Sequence, residues 1–170
     1  MATAPDPPEA SSSSSSQRRE VPEGDRSISN AASMTALVEV NGRTVLLTGD
    51  ADAPSLAAAL RRLCAERGVR TIGVDVFVVP HNGSIRNLDD EVLRFVDVDT
   101  FAICTNGERF GHPDAETIEL IARTHPRARL AFNYRVPTTE RWASPDEQAR
   151  LGITALYPPV EGGTIELRLD

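Results

Sequence analysis

Apolar and polar positions change their rhythm several times along the chain, and each rhythm predicts an element. Residues 35–40 (Thr-Ala-Leu-Val-Glu-Val) and 43–48 (Arg-Thr-Val-Leu-Leu-Thr) read as two strands joined by Asn41-Gly42, a pair that favours a tight hairpin. From Pro54 to Arg67 the leucines 56, 60 and 63 recur at spacings of four and three, the period of a helix, and Gly68 stops it. Residues 74–79 are apolar except for Asp75, which predicts a strand buried on both faces. A polar loop, Pro80-His81-Asn82-Gly83-Ser84, ends it.

A short helix is expected over 89–96 and a buried strand over 101–104, followed by a loop over 106–113. Asp114 is placed to cap a helix that runs to about Thr124 with Ile118 and Ile121 inward. Further strands are expected over 128–132, 153–156 and 164–169, the last two around the turn Glu161-Gly162-Gly163. Strands alternating with helices imply α/β layers. The loops at Gly49-Asp50, 81–84 and 106–112 all follow the carboxyl ends of apolar strands, the edge where sites gather in such proteins.

Residues 1–30 break the pattern. They hold Pro5, Pro7, Pro8, an unbroken serine run from Ser11 to Ser16, and little that could be buried. Such a segment cannot offset its ordering entropy, so a disordered tail is expected over 1–30 and a folded domain over 31–170. The full 170 residues suit one domain. Eighteen Lys+Arg against 25 Asp+Glu give a net charge of −7, and every basic side chain is arginine. That balance does not indicate nucleic-acid or anionic-membrane binding by bulk charge. No apolar run reaches the length of a membrane span. Two cysteines, Cys64 and Cys104, make no disulfide framework, and with no charged-then-apolar leader the expected compartment is the cytoplasm.

Candidate chemistry is sparse. Asp50 reads as a turn carboxylate or as a hard oxygen ligand for a metal. His81 reads as a surface residue or as a ligand for zinc, manganese or iron. Asn82, Gly83 and Ser84 could offer backbone N–H groups to an anion. His112, before Pro113, either organises its loop or meets a substrate phosphate or carboxylate. His125 sits at an expected helix end, where a cation complements the dipole. Trp142 and Tyr134 are expected to pack in the core or at its rim. Cys64 lies within a helix with no histidine near it in sequence, and no nucleophile elbow, P-loop or dinucleotide glycine fingerprint is present.

Three strings, in this order and spacing, resemble one known family. Arg43-Thr44-Val45-Leu46-Leu47-Thr48-Gly49-Asp50-Ala51 resembles its "LLTGDA" motif. Val74-Asp75-Val76-Phe77-Val78-Val79-Pro80-His81-Asn82-Gly83-Ser84 resembles "DVLKVPHHGS". Asn106-Gly107 with Gly111-His112-Pro113-Asp114 resembles a later "NG…HP" loop. The family is the metallo-β-lactamase-fold hydrolases, in the branch of bacterial stand-alone hydrolases and the C-terminal domains of competence DNA-uptake proteins. The likeness spans roughly Ser27 to Trp142, the matching string opening at Ser29-Asn30-Ala31-Ala32-Ser33.

The resemblance implies the C-terminal half of a four-layer αβ/βα sandwich. It implies catalytic and metal-ligating roles for Asp50 and His81, with Asp50 bridging two metal ions and His81 on the second. It also implies substrate contacts from Ser84, Asn106 and His112, and hydrolysis of a phosphodiester or small-molecule ester or amide by a metal-bound water. The family's H-x-H-x-D-H motif is missing, since the histidines stand at 81, 112 and 125, and Asn82 replaces a usual second histidine. A catalytic zinc takes about three protein ligands, and Asp50 with His81 supplies two. The expectation is a hydrolase half that is inactive alone, holds zinc (or manganese or iron) only if its site is completed, and pairs with itself or a separately encoded N-terminal half. Two alternatives stay open. One is a non-catalytic binding or regulatory module; the other is a single metal held by Asp50, His81 and a third group such as Asp52 or His112.

Overall fold

The computed structural model describes residues 32–159 and 164–169. The expected tail over 1–30, the start of the matched string from Ser27 to Ala31, and the turn Glu161-Gly162-Gly163 lie outside the described residues. The described chain is a mixed α/β fold built on one six-stranded sheet whose strands stand in sequence order: β1 (Ala36–Val40), β2 (Arg43–Leu47), β3 (Ile72–Val78), β4 (Val96–Ile103), β5 (Arg129–Phe132) and β6 (Thr154–Leu156). β1 and β2 are antiparallel and turn through Asn41 (φ 52) and Gly42 (φ 77), as the hairpin pair predicts. From β2 to β6 all neighbours are parallel.

Five helices connect them: α1 (Ala53–Arg67), α2 (Asp90–Leu93), α3 (Ala115–Thr124), α4 (Pro137–Glu140) and α5 (Pro145–Leu151), with single 3-10 turns at Pro80–Gly83 and Arg141–Ala143. Asp52 caps α1 by accepting from the Ser55 N–H at 2.9 Å, and Leu56, Ala57, Leu60 and Cys64 form its buried stripe. Ile118 and Ile121 of α3 are fully buried. Parallel strands laid down in sequence order by crossovers of one hand place their helices on one face. Accordingly α1 touches α2, α2 touches α3 and α3 touches α5, and the first three share one core cluster with the sheet.

The strand register divides the sheet into two faces. Leu37, Leu46, Phe77, Phe101 and Leu130 are partners across five strands and all join the helix-side core. The alternate row, Val38, Val45, Val76, Thr100 and Arg129, faces the other way. So does the row Val78, Ala102, Ala131 and Leu156. Among the described residues, the core cluster that the helices share with the sheet holds none of Val76, Thr100, Ala102, Ala131 and Arg129. The segment 164–169 crosses part of this second face, walling a groove with Val76, Thr100 and Arg129 through Ile165 and Leu167. Among the described residues, four of the eight exposed large hydrophobics lie on the hairpin and its approach: Met34 at 84%, Val40 at 60%, Leu47 at 43% and Val38 at 40%.

Some expectations need correction. The expected strand over 164–169 pairs with no ladder, although Ile165 and Leu167 are half-buried and Thr164, Glu166 and Arg168 exposed, the alternation that suggested it. The short helix shrinks to Asp90–Leu93, capped by the Asp89 carboxylate on the Val92 N–H at 2.9 Å. The residues beyond it start β4 five positions earlier than expected, because Val96 and Val98 are buried while Asp97 and Asp99 face water. The stretch around Trp142 is helical, with Trp142 fully buried and Tyr134 42% exposed. Asp75, the polar break in β3, is used structurally. Its carboxylate accepts from the Thr44 N–H at 2.7 Å and from Arg43 at 3.1 Å, and these bonds hold it below the usual carboxylate range. No helix among the described residues is long and apolar enough to cross a membrane.

Candidate functional site

Three loops meet at the carboxyl edge of β2, β3 and β4, as the strand-end argument expects. The first is Thr48 to Asp52. Its Gly49 (φ 54) is required by close approach, since a Cβ there would lie 2.5 Å from Ser33 Oγ. That hydroxyl accepts from the Asp50 N–H at 2.9 Å, and the Asp50 side chain is exposed. Asp52, two residues on, is buried at 7% and turned away into its capping role, with Oδ2 lacking a hydrogen-bond partner. The single-metal alternative through Asp52 would need that carboxylate to leave the helix cap.

The second loop is the 3-10 turn after β3. His81 (φ 46), Asn82 (φ 57) and Gly83 (φ 92) follow one another in the left-handed region. Two non-glycine residues held there cost of order 1–3 kcal/mol each, and such strain concentrates where a site requires a fixed geometry. What holds them is a set of bonds between loops. The His81 N–H donates to Gly49 O at 2.9 Å, and the Asp114 N–H and the Thr117 hydroxyl both donate to Gly83 O, at 3.0 and 2.8 Å. Gly83 is irreplaceable by packing, because a Cβ would sit 2.6 Å from Pro113 Cβ.

The third loop runs from Cys104 to Asp114. It brings His112 against His81, ring centroids 5.7 Å apart, with Phe110 edge-on to His81 at 6.3 Å. His112 Nδ1 lies 3.0 Å from Asp114 Oδ1, while Asp114 Oδ2 accepts from the Ile85 N–H at 2.9 Å. Asp114 begins α3 as expected, yet its side chain makes no cap bond and serves these two loops instead. Arg109 lies over the exposed Phe110 ring at 4.9 Å, so the mouth of the site carries an aromatic and a cation.

The structure therefore brings His81 and His112 together and ties the Asp50 loop to the His81 loop. Ser84 is buried and makes a turn, its Oγ accepting from the Arg86 N–H at 3.3 Å. Asn106 is exposed on the third loop and accepts from the Glu108 N–H at 3.2 Å. His125 stands apart at the opposite end of the sheet's strands, ending α3 and bonding Val96 O through Nε2 at 3.2 Å. Two residues were missed by sequence reasoning. Asp114 had a signal, its H-x-D spacing to His112. Asn87 had none. It is fully buried, contacts His81 Nδ1 through Oδ1 at 3.2 Å, and donates from Nδ2 to the carbonyls of Asp50 and Ala51, both at 3.2 Å.

Among the described residues no group of three His, Cys, Asp or Glu side chains is gathered to hold a metal ion. Comparison of the chain with protein-family models, with curated proteins and with solved structures finds no match.

Proposed function

We propose that this chain is one half of a metallo-β-lactamase-type metal-dependent hydrolase, lending Asp50 and His81 to a centre whose other ligands come from a second polypeptide layer. The observation that carries the reading is the junction of the two loops. The His81 N–H bonds to Gly49 O, and Asn87 bonds to both the His81 ring and the Asp50 carbonyl. This junction supports a common task for two residues that lie 31 positions apart in the sequence. The sheet face without helices supports the missing layer, since an apolar face of this kind calls for a covering partner. That partner is a separately encoded N-terminal half bearing H-x-H-x-D-H, or a second copy of the chain.

A metal held there would act as a Lewis acid on the scissile group. The chain's own residues would do the positioning. Asp114 orients the His112 ring, which with Asn106 and the loop at Ser84 would meet a phosphodiester or other small anionic substrate. Alone, with two donors, the chain is expected to be inactive. The shortage of donors also favours a second reading, a non-catalytic module that binds an anion or protein at the same edge.

Bound zinc decides between them. It is measured on the chain alone and on the chain with a polypeptide carrying the H-x-H-x-D-H layer, each beside His81→Ala. Little zinc alone, about one or more equivalents in the pair, and loss in His81→Ala are expected. Negligible zinc in the pair would overturn the hydrolase reading in favour of the module.

A further inference from the structure

We propose that Asn87 is a positioning residue that fixes the tautomer of His81. The inference deepens the reading of His81 as a functional ligand, and it starts from what each neighbouring atom is able to do. The carbonyl oxygens of Asp50 and Ala51 only accept hydrogen bonds, and both lie 3.2 Å from one end of the Asn87 amide. That end must be the NH2 group. The opposite orientation would set an amide oxygen against two carbonyl oxygens inside a fully buried site. The amide oxygen is thereby turned to His81 Nδ1 at 3.2 Å. Oδ1 also only accepts, so Nδ1 must donate. In the neutral ring the proton is on Nδ1 and the lone pair on Nε2.

The backbone of His81 is fixed against the same loop through its N–H bond to Gly49 O. Ring and main chain of His81 are thus both referred to the segment Gly49 to Ala51, and a single carboxamide joins the tautomer of one candidate ligand to the position of the other. Only a carboxamide does this. A carboxylate cannot donate to the two carbonyls, and an aliphatic side chain can do neither. Outer partners of this kind set which nitrogen of a ligating histidine is basic.

The other two histidines serve as internal standards. Nδ1 of His112 faces the Asp114 carboxylate and carries a proton, whereas Nε2 of His125 faces Val96 O and carries one there. Long-range proton–nitrogen correlation of the 15N-histidine-labelled chain, at a pH above about 8 where imidazole is neutral, reads all three. The expected result is Nδ1–H for His81 and His112 and Nε2–H for His125. In Asn87→Ala, which removes the acceptor at Nδ1, His81 is expected to lose Nδ1–H as its single form and to gain Nε2–H, with His112 and His125 unchanged. The wild-type reading needs no variant and covers the case in which the alanine variant does not fold. His81 found as Nε2–H in the wild type, or as Nδ1–H in a folded Asn87→Ala, would overturn the proposal. Its failure is separable from that of the hydrolase reading. Nδ1–H in paired chains that bind no zinc counts against the hydrolase alone, and zinc bound through His81 as Nε2–H before loading counts against Asn87 alone.

Discussion

The two faces of the sheet are made by the same strands and differ in almost everything else. On the helix side Leu46, Phe77, Phe101, Leu130 and Phe132 are at most 1% exposed and interlock with α1, α2 and α3. On the other side the matched positions are smaller or half-open: Val38, Val45, Val76, Val78, Ala102 and Ala131. There Val40 and Leu47 remain 60% and 43% exposed. A face meant only for water would alternate polar residues into these rows. This one keeps valine and alanine over most of its rows, with Thr100 and Arg129 on β4 and β5, and among the described residues the segment 164–169 crosses part of it. The difference teaches that, among the described residues, the helix side is closed along its length, whereas the other side is covered over Val76, Ala102 and Ala131 and open at the hairpin.

The largest test of that contrast is Phe101→Ala. Truncating a fully buried aromatic in the helix-side core should cost about 3–5 kcal/mol in urea unfolding, whereas Val40→Ala on the open hairpin should stay within about 0.5 kcal/mol. Similar losses at the two positions would break the distinction. The next is association. Val40→Lys with Leu47→Lys should leave the unfolding midpoint almost unchanged but weaken self-association, or docking of a partner layer, by about tenfold or more, a difference of about 1.4 kcal/mol. Sedimentation velocity over a concentration series reads this, and identical profiles for variant and wild type would make the open face a merely solvated one. The smallest is a pH effect at the margin of that face. The Asp75 carboxyl is lowered first by the Thr44 N–H and then by Arg43, so it adds stability above the ordinary carboxylate pKa and loses it as pH falls through its folded value. Asp75→Asn should therefore lose stability less steeply than wild type below about pH 4; parallel acid limbs would show that the Thr44 bond does not survive in solution.

Legibility in the sequence followed the same division. Elements that bury a regular stripe, such as α1 with Leu56 and Leu60 or α3 with Ile118 and Ile121, were visible because burial imposes a period. The helix α5 buries no residue fully and packs only Leu151 against the core, so it had no stripe to read. The first half of β4 was hidden by Asp97 and Asp99, poor strand formers that alternate with buried valines. At the site, strand ends and motif order located Asp50, His81 and His112. They did not reveal that His81 and Asn82 are held left-handed, nor that Asn87 is fully buried. Both properties arise from bonds between loops distant in sequence, which no local pattern encodes. The trailing segment shows the reverse error, since alternation in 164–169 reports which side chains are covered and says nothing about whether the backbone finds a ladder.

The sequence order of the strands has a further consequence for how the molecule is made. On the ribosome the β1–β2 hairpin emerges before β3, and each later strand adds to the exposed side of the one before it. No strand has to wait for a distant one to slot between its neighbours. At synthesis rates of about 5–20 residues per second, every newly emerged strand–helix unit meets a surface already prepared for it, so assembly can proceed vectorially from the hairpin toward β6.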